Sequence, residues 1–187
     1  PGVQGLTTAD GAGGGTIVID SGRSADATSL IAGTIRAQGA SGNGGDIRLL
    51  GSQVGLLDGA LVDASGQAGG GEVLVGGGLR GRDAGIPNAR AVFMARGASI
   101  SANAMATGRG GRIVLWGNEA TRAYGSLSAR GGAAGGDGGL IETSGGWLDA
   151  RPTSIQTQAP RGNAGTWLLD PNNILIQDDF DADVGIS

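Results

Sequence analysis

The chain has 187 residues with a formal net charge of −4, no Cys and no His, and 41 Gly against only 3% aromatics. Without Cys there are no disulfides, thiolate metal sites or Cys nucleophiles, and without His no Ser-His-Asp triad, imidazole metal site or His general base. The negative charge argues against nucleic acid as a partner, and no apolar run approaches the roughly 20 residues of a membrane-spanning helix.

Gly does not recur at every third residue, so a collagen-like chain is excluded. Branched aliphatic runs such as Ile17-Val18-Ile19 and Ile113-Val114-Leu115 argue against disorder, because such runs bury well. Read in order, the chain repeats itself. Gly14-Gly15-Thr16-Ile17 opens an alternating strand (Ile17, Ile19), followed by Leu30-Ile31 and then Ile35/Ala37/Gly39. Gly44-Gly45-Asp46-Ile47 opens the next (Ile47, Leu49), followed by Leu56-Leu57 and Val62/Ala64/Gly66. Gly70-Gly71-Glu72-Val73 leads to Val92–Met94 and Ile100/Ala102. Gly110-Gly111-Arg112-Ile113 leads to Thr121–Tyr124 and Leu127/Ala129/Gly131. Gly138-Gly139-Leu140-Ile141 leads to Trp147-Leu148 and Ile155/Thr157/Ala159, and Ala164-Gly165-Thr166-Trp167 opens a last unit. The second anchor residues, 15, 45, 71, 111, 139 and 165, lie 30, 26, 40, 28 and 26 apart.

Alternation with period two puts one face of each strand inward. Three short strands per repeat suit one coil of a parallel β-helix, with successive coils about 4.8 Å apart. The expected architecture is all-β: a parallel β-helix of five to six coils over residues 1–176, with 177–187 as an acidic peripheral tail. Ile17, Ile47, Val73, Ile113, Ile141 and Trp167 should form one stacked interior column. The helical periodicity of ankyrin, TPR or leucine-rich repeats is absent. The stack is expected to continue beyond this chain, on the side before Pro1.

The spacing of 40 marks an insertion, Leu79 to Arg90. Inserted residues in solenoids form loops, so this one is expected to project from one side and to be dispensable for folding. Its Arg80, Arg82 and Arg90 are candidate contacts for anionic sugars or phosphates, against the plainer reading of a solvated loop. Trp116, out of phase with Ile113 and Leu115, is the candidate exposed platform for a sugar ring, whereas Trp167 belongs by parity to the core. Asp178, Asp179, Asp181 and Asp183 suggest calcium, but Gly185 falls one place late for an EF-hand and no Glu follows at the twelfth position.

The last third carries four ordered motifs: Gly-Arg-Gly-Gly-Arg-Ile-Val-Leu-Trp-Gly (108–117), Ala-Thr-Arg-Ala-Tyr-Gly-Ser-Leu-Ser-Ala-Arg-Gly-Gly (120–132), Gly-Gly-Asp-Gly-Gly-Leu-Ile-Glu-Thr-Ser-Gly (135–145) and Gly-Thr-Trp-Leu-Leu-Asp-Pro-Asn-Asn-Ile-Leu-Ile (165–176). This succession resembles the filamentous-haemagglutinin and high-molecular-weight adhesin exoproteins of Gram-negative bacteria. The resemblance implies a right-handed helix, two-partner secretion through an outer-membrane pore transporter, and a secreted or cell-surface location. It implies no catalytic residue and no cofactor. It also implies that the transporter is engaged by a part of the protein not in this chain, since the family's secretion domain is not recognisable here. Zero Cys fits a chain threaded unfolded through a pore.

The functional expectation is a non-catalytic structural and adhesive rod segment, in contact with the rest of its own β-helix and with host or surface glycans. The alternative is a carbohydrate-binding or polysaccharide-cleaving β-helix. Cleavage needs clustered carboxylates, and only Asp46 and Glu72 fall at matching positions of adjacent coils.

Overall fold

The computed structural model describes residues 2, 3, 5–151 and 153–171. These form an all-β solenoid of about six turns with parallel strands stacked coil on coil.

Each coil contributes to three walls. Wall one comprises Thr16–Asp20, Asp46–Leu50, Glu72–Val75, the first part of Arg112–Ala123, Leu140–Gly145 and Thr166–Leu168. Wall two comprises Gly2–Val3, Thr28–Ile31, Gln53–Leu56, Ala89–Met94, the second part of Arg112–Ala123 and Leu148–Asp149. Wall three comprises Leu6–Thr8, Thr34–Arg36, Leu61–Asp63, Ser99–Ser101, Ser126–Ser128 and Ser154–Gln156. The 12-residue strand Arg112–Ala123 runs through the corner between walls one and two, so these two walls are a single 11-stranded sheet, and wall three is a separate sheet of 6.

The column expected from the repeat is present in register: Ile17 pairs with Ile47, then Val73, Ile113, Ile141 and Trp167. Ile47, Val73, Ile113 and Ile141 are fully buried. Trp167 keeps its place in the register but is 40% exposed. Walls two and three add the columns Ile31–Leu56–Met94–Ala123 and Ile35–Val62–Ile100–Leu127. Together they make one continuous core, in which each buried aliphatic side chain contributes roughly 1.5–3 kcal/mol. Two inward hydroxyls are satisfied by carbonyls of the next corner: Ser29 Oγ donates to Leu50 O at 2.8 Å and Thr121 Oγ1 to Ser144 O at 2.7 Å.

The Gly-Gly anchors are corners between walls three and one. A side chain on Gly71 would overlap the Gly45 carbonyl, and one on Gly70 the Ala102 carbonyl. The coils meet there backbone to backbone, which only Gly permits.

The insertion leaves wall one after Val75 and rejoins wall two at Ala89. It contains a 3-10 turn at Leu79–Gly81, in which Arg80 is the only non-Gly residue with positive φ among the described residues (56°). The expected projecting loop is corrected here: the insertion folds back as a flap over the outside of wall one. The Asp178–Asp183 cluster lies outside the described residues.

Candidate functional site

Two outward surfaces stand out, one covered by the flap and one open. On wall one the outward column reads Val18, Arg48, Leu74, Val114, Glu142, Leu168. Val18 is 54% exposed, but Leu74 and Val114 are buried although they point away from the core. Together with Leu50 and Ile86 of the flap they form a second apolar cluster, against which Leu79 and Trp116 pack. The flap therefore shields an apolar strip rather than extending into solvent.

Glu142 is fully buried at the end of this strip. Its carboxylate accepts the Arg80 backbone N–H, at 2.9 Å to Oε2 and 3.2 Å to Oε1. Burial pushes its carboxyl above the usual carboxylate range, against the pull of the Arg80 N–H and the Ser144 hydroxyl. Asn88 Nδ2 donates to Gly81 O at 2.8 Å and ties the flap to itself.

The four candidate contact residues are not brought together as an open site. Arg80 and Arg82 have exposed side chains on the flap. Arg90 sits where the flap rejoins the sheet and holds Glu119 through two bonds, 2.8 Å from Nε and 3.2 Å from Nη2. Trp116 differs from the exposed platform expected of it. Its indole lies against Gly81, where a side chain would overlap the ring, and its Nε1 donates to Asn118 Oδ1 at 2.8 Å. Parity sent it outward correctly, but outward on this wall means beneath the flap.

Among the described residues, wall two has no such cover. Its outward column reads Leu30, Gly55, Phe93, Arg122, Asp149. Leu30, Phe93 and, beside the column, Trp147 are 44%, 39% and 47% exposed. Phe93 meets Tyr124 edge to face (6.1 Å, 76°), and the Arg122 guanidinium lies 5.3 Å from the centre of the Trp147 ring. The Tyr124 hydroxyl donates to Asp149 Oδ2 at 3.0 Å. Where Gly55 lacks a side chain, a groove of about 240 Å³ opens between Leu30 and Phe93. Phe93 and Arg122 carry no local mark in the sequence as ligand-facing residues. Their strand parity was available, but nothing local shows which wall stays uncovered.

A third groove, about 600 Å³, follows the Gly-Gly corners past Asp46, Glu72 and Arg112. Asp46 and Glu72 are neighbours as expected, but Glu72 is committed to Arg112 at 2.8 Å. Among the described residues no group of three or more His, Cys, Asp or Glu is placed to hold a metal ion.

No protein-family model matches the chain, and no curated protein matches it. Among solved structures it is similar to the crystal structure of the HMW1 secretion domain from Haemophilus influenzae, at 29% identity and a TM-score of 0.64. The likeness covers 89% of this chain but 48% of that one, so the chain spans about half the length of the structure it matches. The family resemblance in the sequence implies a secretion domain outside this chain, whereas the structure that most of the chain resembles is itself a secretion domain.

Proposed function

We propose that the chain is a structural segment of a large exoprotein of the two-partner type, exported through an outer-membrane pore and displayed at the cell surface or released. The observation that carries this reading is the likeness to a secretion domain over 89% of the chain. It is supported by a coil stack in which each turn rests on its neighbours, a design that grows by addition as a chain emerges. The absence of Cys from the sequence fits passage through the pore unfolded.

In this reading the walls make surface contacts and do no chemistry. The carboxylates that could act in pairs are engaged: Glu72 with Arg112, Glu119 with Arg90, and Glu142 under the flap. The likeness to a secretion domain also extends the proposal to transporter contact within this chain, not only elsewhere in the protein.

Export is the test. In the source bacterium, the gene for the partner outer-membrane pore is deleted, and an antibody against residues 1–187 is used on intact cells, medium and periplasm. The antigen should disappear from the surface and medium. Unchanged surface display without the pore would overturn the proposal.

A further inference from the structure

We infer that the outward face of wall two is a binding site for an acidic oligosaccharide, with one sugar ring stacked on Phe93 beside the Gly55 groove and its carboxylate held by Arg122. The inference rests on the reading of the chain as a surface-contact rod and gives that contact a place and a ligand class.

Phe93 and Arg122 are cross-strand neighbours on adjacent coils, so their side chains emerge about 4.8 Å apart on a rigid ladder. That is the reach from the face of a pyranose ring to its own carboxylate. The Phe93 ring is braced by Tyr124, and Arg122 is braced by the Trp147 ring beneath it. Both side chains are thus held in position before a ligand arrives, which limits the ordering cost of binding.

Charge selects the ligand. Of the acids near this face, Asp58 accepts the Gly97 N–H (2.8 Å), Glu119 holds Arg90, and Asp149, the in-register neighbour of Arg122, receives the Tyr124 hydroxyl and lies 3.7 Å from Arg151. Arg122 and the neighbouring exposed Arg96 have no acidic partner within 4.0 Å among the described residues. A planar guanidinium matches a carboxylate with two parallel hydrogen bonds. On a chain of net charge −4, this is a local cationic spot beside an aromatic ring.

The backbone excludes the main rival. Each central strand of wall two is paired on both sides, so no free edge is left for an extended peptide to join. Recognition on this face falls to side chains alone, and an exposed ring beside an unpaired guanidinium suits a sugar acid.

The test titrates the full chain with α-1,4-linked trigalacturonate and with the neutral galactose trisaccharide. The acidic sugar should saturate, with the neutral one about tenfold weaker or more (about 1.4 kcal/mol). R122Q should abolish the preference, and F93A should weaken both sugars, with thermal transitions unchanged in each variant. No saturation by either sugar, equal binding of the two, unaltered binding by R122Q, or equal binding of a Glu-rich peptide would each overturn the assignment. Export is measured separately, so failure of sugar binding leaves the secreted-rod reading intact, and failure of export leaves the titration standing.

Discussion

Walls one and two belong to one sheet, and both send apolar side chains outward. On wall one, Leu74, Val114 and Leu50 lie under a flap supplied by the chain itself. On wall two, Leu30, Phe93 and Trp147 remain in water. The difference shows that the outside of a solenoid wall is not uniformly surface. An insertion between two coils can add a second core layer on one side and leave the adjoining side open for contact.

The comparison can be broken from the inside first. I113D, which sets a charge in the dry column between the two walls, should cost about 3–5 kcal/mol and lower the thermal transition sharply. An unchanged transition would refute the coil stack.

Removing the cover is next. Replacing residues 79–88 by a short Gly-Ser turn uncovers Leu74, Val114 and Leu50. The cost should be about 3 kcal/mol, with new binding of a hydrophobic dye. A near-neutral outcome, the one expected for a solvated loop, would mean that the flap contributes little.

The clasp sharpens the point. E142A leaves the Arg80 N–H without its acceptor and should cost about 1–3 kcal/mol, whereas E142Q keeps an acceptor. The pH dependence has a definite sign. The folded-state pKa of Glu142 is raised above its unfolded value, chiefly by burial. Its contribution is therefore fully present below the unfolded value and lost as pH rises through the raised one. Denaturant titrations should show wild type and E142Q converging in acid, with E142Q gaining relative stability toward neutral pH. A constant difference across that range would show that Glu142 titrates normally.

The smallest effect belongs to the open wall. F93S and W147S remove exposed rings and should change stability by no more than about 0.5 kcal/mol. A large loss would show that wall two is packed after all.

Much of the fold was legible in the sequence because a stacked coil repeats its constraints. Six inward positions and their partners follow from the Gly-Gly anchors and period-two alternation. What the flap does was not read, although a signal existed. Alternation fails at Ile17-Val18-Ile19, Leu49-Leu50, Val73-Leu74-Val75 and Ile113-Val114-Leu115-Trp116; loss of alternation is the mark of strands buried on both faces, although Val18, on the first coil and away from the flap, stays 54% exposed. The last three breaks sit on adjacent coils flanking the long spacing, and their position beside it points to the inserted residues as the cover. Glu142 was not legible as a clasp, because its partner is a backbone N–H set by the left-handed turn at Arg80. The open site was half legible: Phe93 and Arg122 share a column by parity, but their exposure depends on where the flap goes.

The bond between Arg80 and Glu142 spans 62 residues, whereas the coil spacing along the Ile17–Trp167 column is between 26 and 40. The flap thus leaves the stack one coil before Ile113 and is fastened one coil after it. A chain assembled from its N-terminal side must lay down two further turns of wall one before the fastening residue exists. Until then Leu50 and Leu74 lack their full cover. The clasp therefore acts as a latch that only a later turn can close, giving this segment an order of completion that nearest-neighbour stacking alone does not impose.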